Sequence, residues 1–212
     1  MGGHAAGDVA SGIAAEVVER ETERALEAGS PPGPTPLANA VRAAHRAIVA
    51  RAMAEPALTG MGTTLTAALF DPVASLLHLA HVGDSRAYLF RRGELRRLTR
   101  DHTWVQQQVD SGRLSEAEAR THPNANVLLR ALGGSDATVE VDTVQIAISA
   151  GDLVLLCTDG LSGTVEDADL RAILDRPLPL ESIAEQLVEA AKLRSGPDNI
   201  TAVLVRFTSS AE

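Results

Sequence analysis

The chain has 212 residues, 45% of them hydrophobic and 22% charged, with aromatics at only 2% and a net charge of -9. These values fit one soluble globular domain whose core is filled by Leu, Val, Ile and Ala. They argue against a large nucleic-acid footprint, which needs a basic face. No apolar run approaches the ~20 residues that cross a bilayer, and no basic-plus-apolar leader opens the chain, so a cytoplasmic protein without membrane insertion is expected.

Residues 8–28 are expected to form a helix, with Val9, Ile13 and Val17 on one face and Glu16, Glu19, Arg20, Glu23 and Arg24 on the other. Residues 30–36 hold four prolines and read as a loop. A second helix follows over 37–53, turning Leu37, Val41, Ala44 and Ile48 inward. The period then changes. Residues 63–70 and 75–82 read as a hairpin turning at Asp71-Pro72, and 86–91 and 94–98 as another turning at Arg92-Gly93. Residues 101–122 are polar, with short helices expected over 105–109 and 115–120. Strands over 139–148 and 153–157 are expected to pair with each other. Helices over 167–174 and 180–193 and a closing strand over 200–207 complete the chain. Helices, antiparallel hairpins, then helices and a last strand predict an α+β layered domain.

Three acids stand at the edges of three apolar runs: Asp84 after 76–82, Asp159 after 153–157, and Asp198 before 200–207. An acid at the end of a buried strand is costly to hold without a cation or hydrogen-bond donors, and three of them point to a shared hard-metal site. Gly160 is expected to let the backbone turn sharply after Asp159. The lone Cys157 excludes an internal disulfide and a Cys-rich zinc site. Thiol-based phosphatases place an Arg after five residues beyond the Cys. Here that position is Gly163, so Cys157 reads as a buried strand residue.

Seven segments in order carry a resemblance: Met1-Gly2-Gly3-His4-Ala5-Ala6-Gly7, Gly60-Met61-Gly62-Thr63-Thr64, His81-Val82-Gly83-Asp84-Ser85-Arg86, Asp101-His102-Thr103, Arg130-Ala131-Leu132-Gly133, Cys157-Thr158-Asp159-Gly160-Leu161 and Gly196-Pro197-Asp198-Asn199. Together they resemble the bacterial branch of the metal-dependent Ser/Thr protein phosphatases, the PPM family. The resemblance implies two antiparallel sheets packed face to face and flanked by helices, with the single domain running over 1–212. It implies hydrolysis of phosphoserine and phosphothreonine in phosphorylated proteins, opposing a Ser/Thr kinase, by water activated on two Mn²⁺ or Mg²⁺ ions. Carried over by motif, Asp159 and Asp198 are ligands of the metal pair, and Asp84 helps hold a third ion. Asn199 orients Asp198 or bound water. Residues 115–126 correspond to the family's flap beside the active site. Arg86 is expected to pair with a structural acid, and His4, His81 and His102 to be hydrogen-bonded structural histidines.

The chain also departs from the family pattern. There the Met-Gly-Gly-His segment follows an Asp-Gly whose carboxylate bridges the metals, with an Asn-Glu-Asp motif and a phosphate-binding Arg further upstream. With its start at Met1, the chain is expected to lack these and its first strands, and to be inactive or nearly so in this form. A non-catalytic relative that binds or regulates a partner is the alternative reading.

Overall fold

The structure, a computed structural model, describes residues 6–194 and 198–209. Met1, His4 and Gly196-Pro197 lie outside the described residues. The helices are α1 (Gly7–Glu27), α2 (Pro34–Ala54), α3 (Trp104–Asp110), α4 (Glu116–Thr121), α5 (Asp159–Ser162), α6 (Asp167–Leu174) and α7 (Leu180–Leu193). The strands are β1 (Gly62–Thr63), β2 (Leu65–Asp71), β3 (Leu76–Val82), β4 (Arg86–Arg91), β5 (Glu94–Arg97), β6 (Leu132–Gly133), β7 (Asp142–Ala147), β8 (Leu153–Cys157) and β9 (Ala202–Arg206).

Two compact units divide the chain. One takes in residues 6–83 and 101–147. Its sheet is antiparallel in the order β2-β3-β7, with β1 and β6 forming a separate two-stranded ribbon. Helices α1 and α2 pack together, and Leu37, Val41, Ala44 and Ile48 of α2 are all buried in a core shared with Ala10, Ala14, Val17, Ala80 and Val82. Truncating a residue such as Ile48 to Ala costs about 2–5 kcal/mol in a setting of this kind. Helix α2 begins earlier than the proline count implied. Pro34 and Pro36 sit in its first turn, where a missing N–H breaks no intrahelical bond.

The other unit takes in 84–100 and 148–209, and its sheet is antiparallel in the order β5-β4-β8-β9. Strand β8 is central, and Leu153, Val154, Leu155 and Cys157 are all buried, as the unbroken apolar run predicts. Helices α6 and α7 supply Leu170, Ile173, Leu174, Ile183 and Leu187 to a core that includes Tyr88 and Leu155. The expected pairing of 139–148 with 153–157 does not form. Strand β7 pairs with β3, and β8 pairs with β4 and β9. Sequence adjacency suggests a hairpin, but the backbone turns at Gly151 and Asp152 leads into a strand of a different sheet: Ser149 N donates to Asp152 Oδ2 at 2.7 Å, and Gly151 N to Phe207 O at 2.8 Å.

Candidate metal centre

Strand β8 delivers Asp159 to its end, where the chain enters the four-residue helix α5. Thr158 locks this strand end to the loop ahead of β9. Its Oγ donates to Asn199 O at 3.2 Å and accepts from Thr201 N at 3.0 Å, while its N–H donates to Thr201 O at 3.1 Å. Asp198 stands on that same loop, and Asn199 N donates to its Oδ1 at 2.7 Å. Gly160 has a role other than the one expected. Its backbone is helical, not left-handed, but a Cβ there would lie 2.3 Å from Asn199 O. Glycine is needed because the loop carrying Asp198 runs against α5.

The pair is electrostatically unsettled. Asp159 is half-buried and Asp198 exposed. Burial, and next the negative charge of Asp198, push the Asp159 carboxyl above its ordinary range. Two neighbouring carboxylates, one of them held above its range partly by the other's charge, form a donor set suited to a hard divalent cation, which would relieve the penalty on Asp159. Asp84 is half-buried in the turn after β3. Among the described residues no three His, Cys, Asp or Glu side chains gather as a metal-binding group, so Asp84 is not drawn into one cluster with Asp159 and Asp198.

The remaining motif residues have structural surroundings. His81 and His102 are buried, with ring centroids 4.8 Å apart. His81 Nδ1 lies 2.8 Å from Thr66 Oγ. His102 clamps Gly83: its N–H donates to Gly83 O at 2.8 Å, and its Nδ1 accepts from Gly83 N at 3.0 Å. That contact places the ring proton on Nε2, which faces Asp142 Oδ2 at 3.2 Å. Arg130 donates to Asp142 Oδ1 at 2.6 Å. Burial acts to raise the Asp142 carboxyl, but the bonds from His102 and Arg130 prevail and hold it low. Arg86 donates to Tyr88 Oη at 3.1 Å, and Tyr88 in turn donates to Asp167 at 3.1 Å, so Arg86 reaches an acid through a tyrosine. Burial pushes the Tyr88 hydroxyl well up, which keeps it a neutral donor. Sequence reasoning missed Asp142, Arg130 and Thr158. Thr158 had a visible signal, a hydroxyl between a buried strand and its terminal acid; the other two meet His102 only through tertiary structure.

With this geometry in hand, the comparison with known proteins is decisive. The Protein phosphatase 2C family profile matches residues 1–204. The chain belongs to that family. It is 45% identical over 206 residues to the serine/threonine protein phosphatase PstP of Mycobacterium tuberculosis, covering 96% of this chain and 38% of that protein. It is 40% identical over 208 residues to the serine/threonine phosphatase stp of Listeria innocua, covering 97% and 81%. The crystal structure of M. tuberculosis PstP superposes with a TM-score of 0.86 at 42% identity, over 99% of this chain and 86% of that one. The PstP catalytic domain in complex with two manganese ions superposes at 0.84, with 41% identity and 99% and 85% coverage. The mixed α/β architecture with antiparallel sheets thus agrees with the expected fold.

Proposed function

We propose that this phosphatase-family chain carries the metal-dependent hydrolysis of phosphoserine and phosphothreonine in proteins, in the cytoplasm and in opposition to Ser/Thr kinases. The observation that carries the reading is the Asp159–Asp198 pair, two acids locked side by side by Thr158 and Gly160 with Asp159 held above its ordinary range. Asp159 and Asp198 would hold Mn²⁺ or Mg²⁺, and Asp84 would contribute to a further ion. When bound, such ions lower the pKa of water and neutralise charge on phosphoryl oxygens. The chain's own residues fix the site. Thr158 sets the spacing between strand end and loop, Gly160 admits the loop backbone, and Asn199 orients Asp198 through its amide. Residues 115–126 form the flap of this reading. There Ser115 and Glu118 close a capping box on α4, and the Trp104 and His122 rings lie 5.0 Å apart.

Calorimetric titration with Mn²⁺, Mg²⁺ and Zn²⁺, beside phosphate release from a phosphothreonine peptide by a form that carries the family's upstream Asp-Gly segment, tests the proposal. Expected are Mn²⁺ or Mg²⁺ binding in preference to Zn²⁺, and release that depends on the bound ion and on Asp159. Tight Zn²⁺ binding without Mn²⁺ binding, or release unchanged in Asp159→Asn, would overturn it.

A further inference from the structure

The acidity of the chain is unevenly spread. Within Asp84–Arg100 six arginines outnumber two acids, a net charge of +4 in a chain whose total is -9. Much of this charge sits on the β4–β5 hairpin. The register sets Leu89 opposite Arg96 and Arg91 opposite Glu94, so these four share one face of the sheet. With Arg92 they line a pocket of about 480 Å³. Leu89 is buried and gives the pocket an apolar floor. Arg91 is committed elsewhere, donating to Asp152 Oδ1 at 2.7 Å and Oδ2 at 2.6 Å. Arg92 and Arg96 are exposed, and among the described residues neither makes a hydrogen bond or ion pair. Glu94, the one acid of the lining, neutralises neither of them through a salt bridge.

The turn supplies an independent observation. Arg92 and Gly93 both have positive φ, 52° and 78°, in a two-residue connection between β4 and β5. Gly, Asn and Asp fill the first of these positions with least strain, and an arginine is locally disfavoured. Strain of this kind persists where the surroundings over-determine it, and it concentrates at sites of recognition. The surroundings do so here, because Arg171 Nε of α6 donates to Gly93 O at 2.5 Å and holds the turn. Arg92 therefore stands on a fixed tip, in a conformation that favours another residue, and within its own protein its charge acts only at a distance, on Asp152.

We propose that this hairpin face is a docking site for an acidic peptide segment of a partner protein, with Arg92 and Arg96 receiving its carboxylates. Charge complementarity selects the occupant. A second copy of this acidic chain would be repelled over most of its surface, whereas an acidic segment is drawn to this basic hairpin and screened from it by salt. The site does not depend on the metal chemistry at Asp159, so the two readings fail separately.

The test is fluorescence anisotropy in metal-free buffer, with a fluorescein-labelled peptide rich in Glu and Leu and a control in which Gln replaces Glu. The acidic peptide should bind with an affinity that falls as NaCl rises, and the Gln peptide should not bind. Exposed ion pairs of this kind are worth up to about fivefold each, so Arg92→Gly and Arg96→Gln should each weaken binding about threefold, and the double variant about tenfold. Arg92→Gly should also raise the thermal midpoint, since glycine suits the positive φ, which separates lost recognition from lost folding. Equal binding of the Gln peptide, no binding of the acidic peptide, wild-type affinity in the double variant, or tighter binding of a single-stranded oligonucleotide would each overturn the proposal.

Discussion

Strand β8 has an acid at each end, and the two have opposite fates. Asp152, just before the strand, has a side chain only 2% exposed, yet it is fully provided for by the Arg91 guanidinium and the amide of Ser149. Burial acts to raise its carboxyl, but these partners prevail and hold it below the ordinary range. Asp159, at the other end, is also partly buried, but its nearest charged influence among the described side chains is another acid, Asp198, and its carboxyl is pushed up. The same residue type thus serves folding at one end of the strand and, at the other, keeps a cost of ionisation that burial and a neighbouring acid both raise. Burial alone does not single out an acid as a candidate site residue; burial combined with a like charge does.

The largest effect that sharpens this contrast is on turnover. In a form of the protein that carries the family's upstream Asp-Gly segment, Asp159→Asn or Asp198→Asn should cut Mn²⁺-dependent phosphate release by orders of magnitude at saturating Mn²⁺, because each removes a charged ligand from the proposed pair. Asp84→Asn should be milder. Steady-state release from a phosphothreonine peptide checks all three, with circular dichroism confirming the fold. At the other end of the strand the loss should appear in stability. Arg91→Ala leaves Asp152 buried with only the Ser149 amide, and because the arginine of the pair is itself 37% exposed, the loss costs about 1–3 kcal/mol. At about 2–4 °C per kcal/mol the thermal midpoint should fall by about 2–12 °C.

How much of this contrast could be read beforehand differs residue by residue. The five apolar residues of β8 and the acid that follows them are local features, and a buried central strand ending in Asp159 was legible from them. The role of Asp152 was not, because Arg91 lies 61 positions earlier and meets it only when β4 and β8 pair. The same holds for His102, whose partners Gly83 and Asp142 come from other elements. Local sequence also misled in definite ways. Pro34 and Pro36 read as helix breakers because a count of prolines carries no information on their place in a helix's first turn. Gly160 read as a turn residue because backbone approach from Asn199 has no local signature. The strands over 139–148 and 153–157 read as a hairpin because short connections usually make one, and only the tertiary register of β3 with β7 overrules that.

Two smaller effects probe the geometry between the acids. Gly160→Ala puts a methyl group 2.3 Å from Asn199 O, so the loop carrying Asp198 must shift. Overpacking of this kind costs about 1–3 kcal/mol, and Mn²⁺ affinity measured by calorimetry should fall with it. The pH dependence of stability probes the other end. Because the folded pKa of Asp152 is depressed, its stabilising contribution is present above the ordinary carboxylate value of 3.8 and is lost as pH falls through the lower folded value. Urea midpoints taken down through that range should fall steeply for the native chain, and less steeply for Arg91→Ala, which has already lost the pair.

The smallest expected effect decides the comparison, because its sign differs at the two ends of the strand. Asp152→Asn keeps the size of the side chain but removes the charge that Arg91 needs, so the metal-free protein should lose stability. Asp159→Asn keeps size too, but it removes a charge that burial and Asp198 both oppose. In metal-free protein the thermal midpoint should therefore rise, or at the least not fall. Adding Mn²⁺ should reverse the order. A ligand that binds only the folded state raises stability in proportion to its affinity, so the native chain should gain from Mn²⁺ and Asp159→Asn should gain little. Differential scanning calorimetry of the native chain and both variants, in chelator and then in Mn²⁺, reads all of these signs together. If Asp159→Asn melts lower than the native chain in chelator, Asp159 is a structural acid like Asp152 and the distinction between the two ends of β8 collapses.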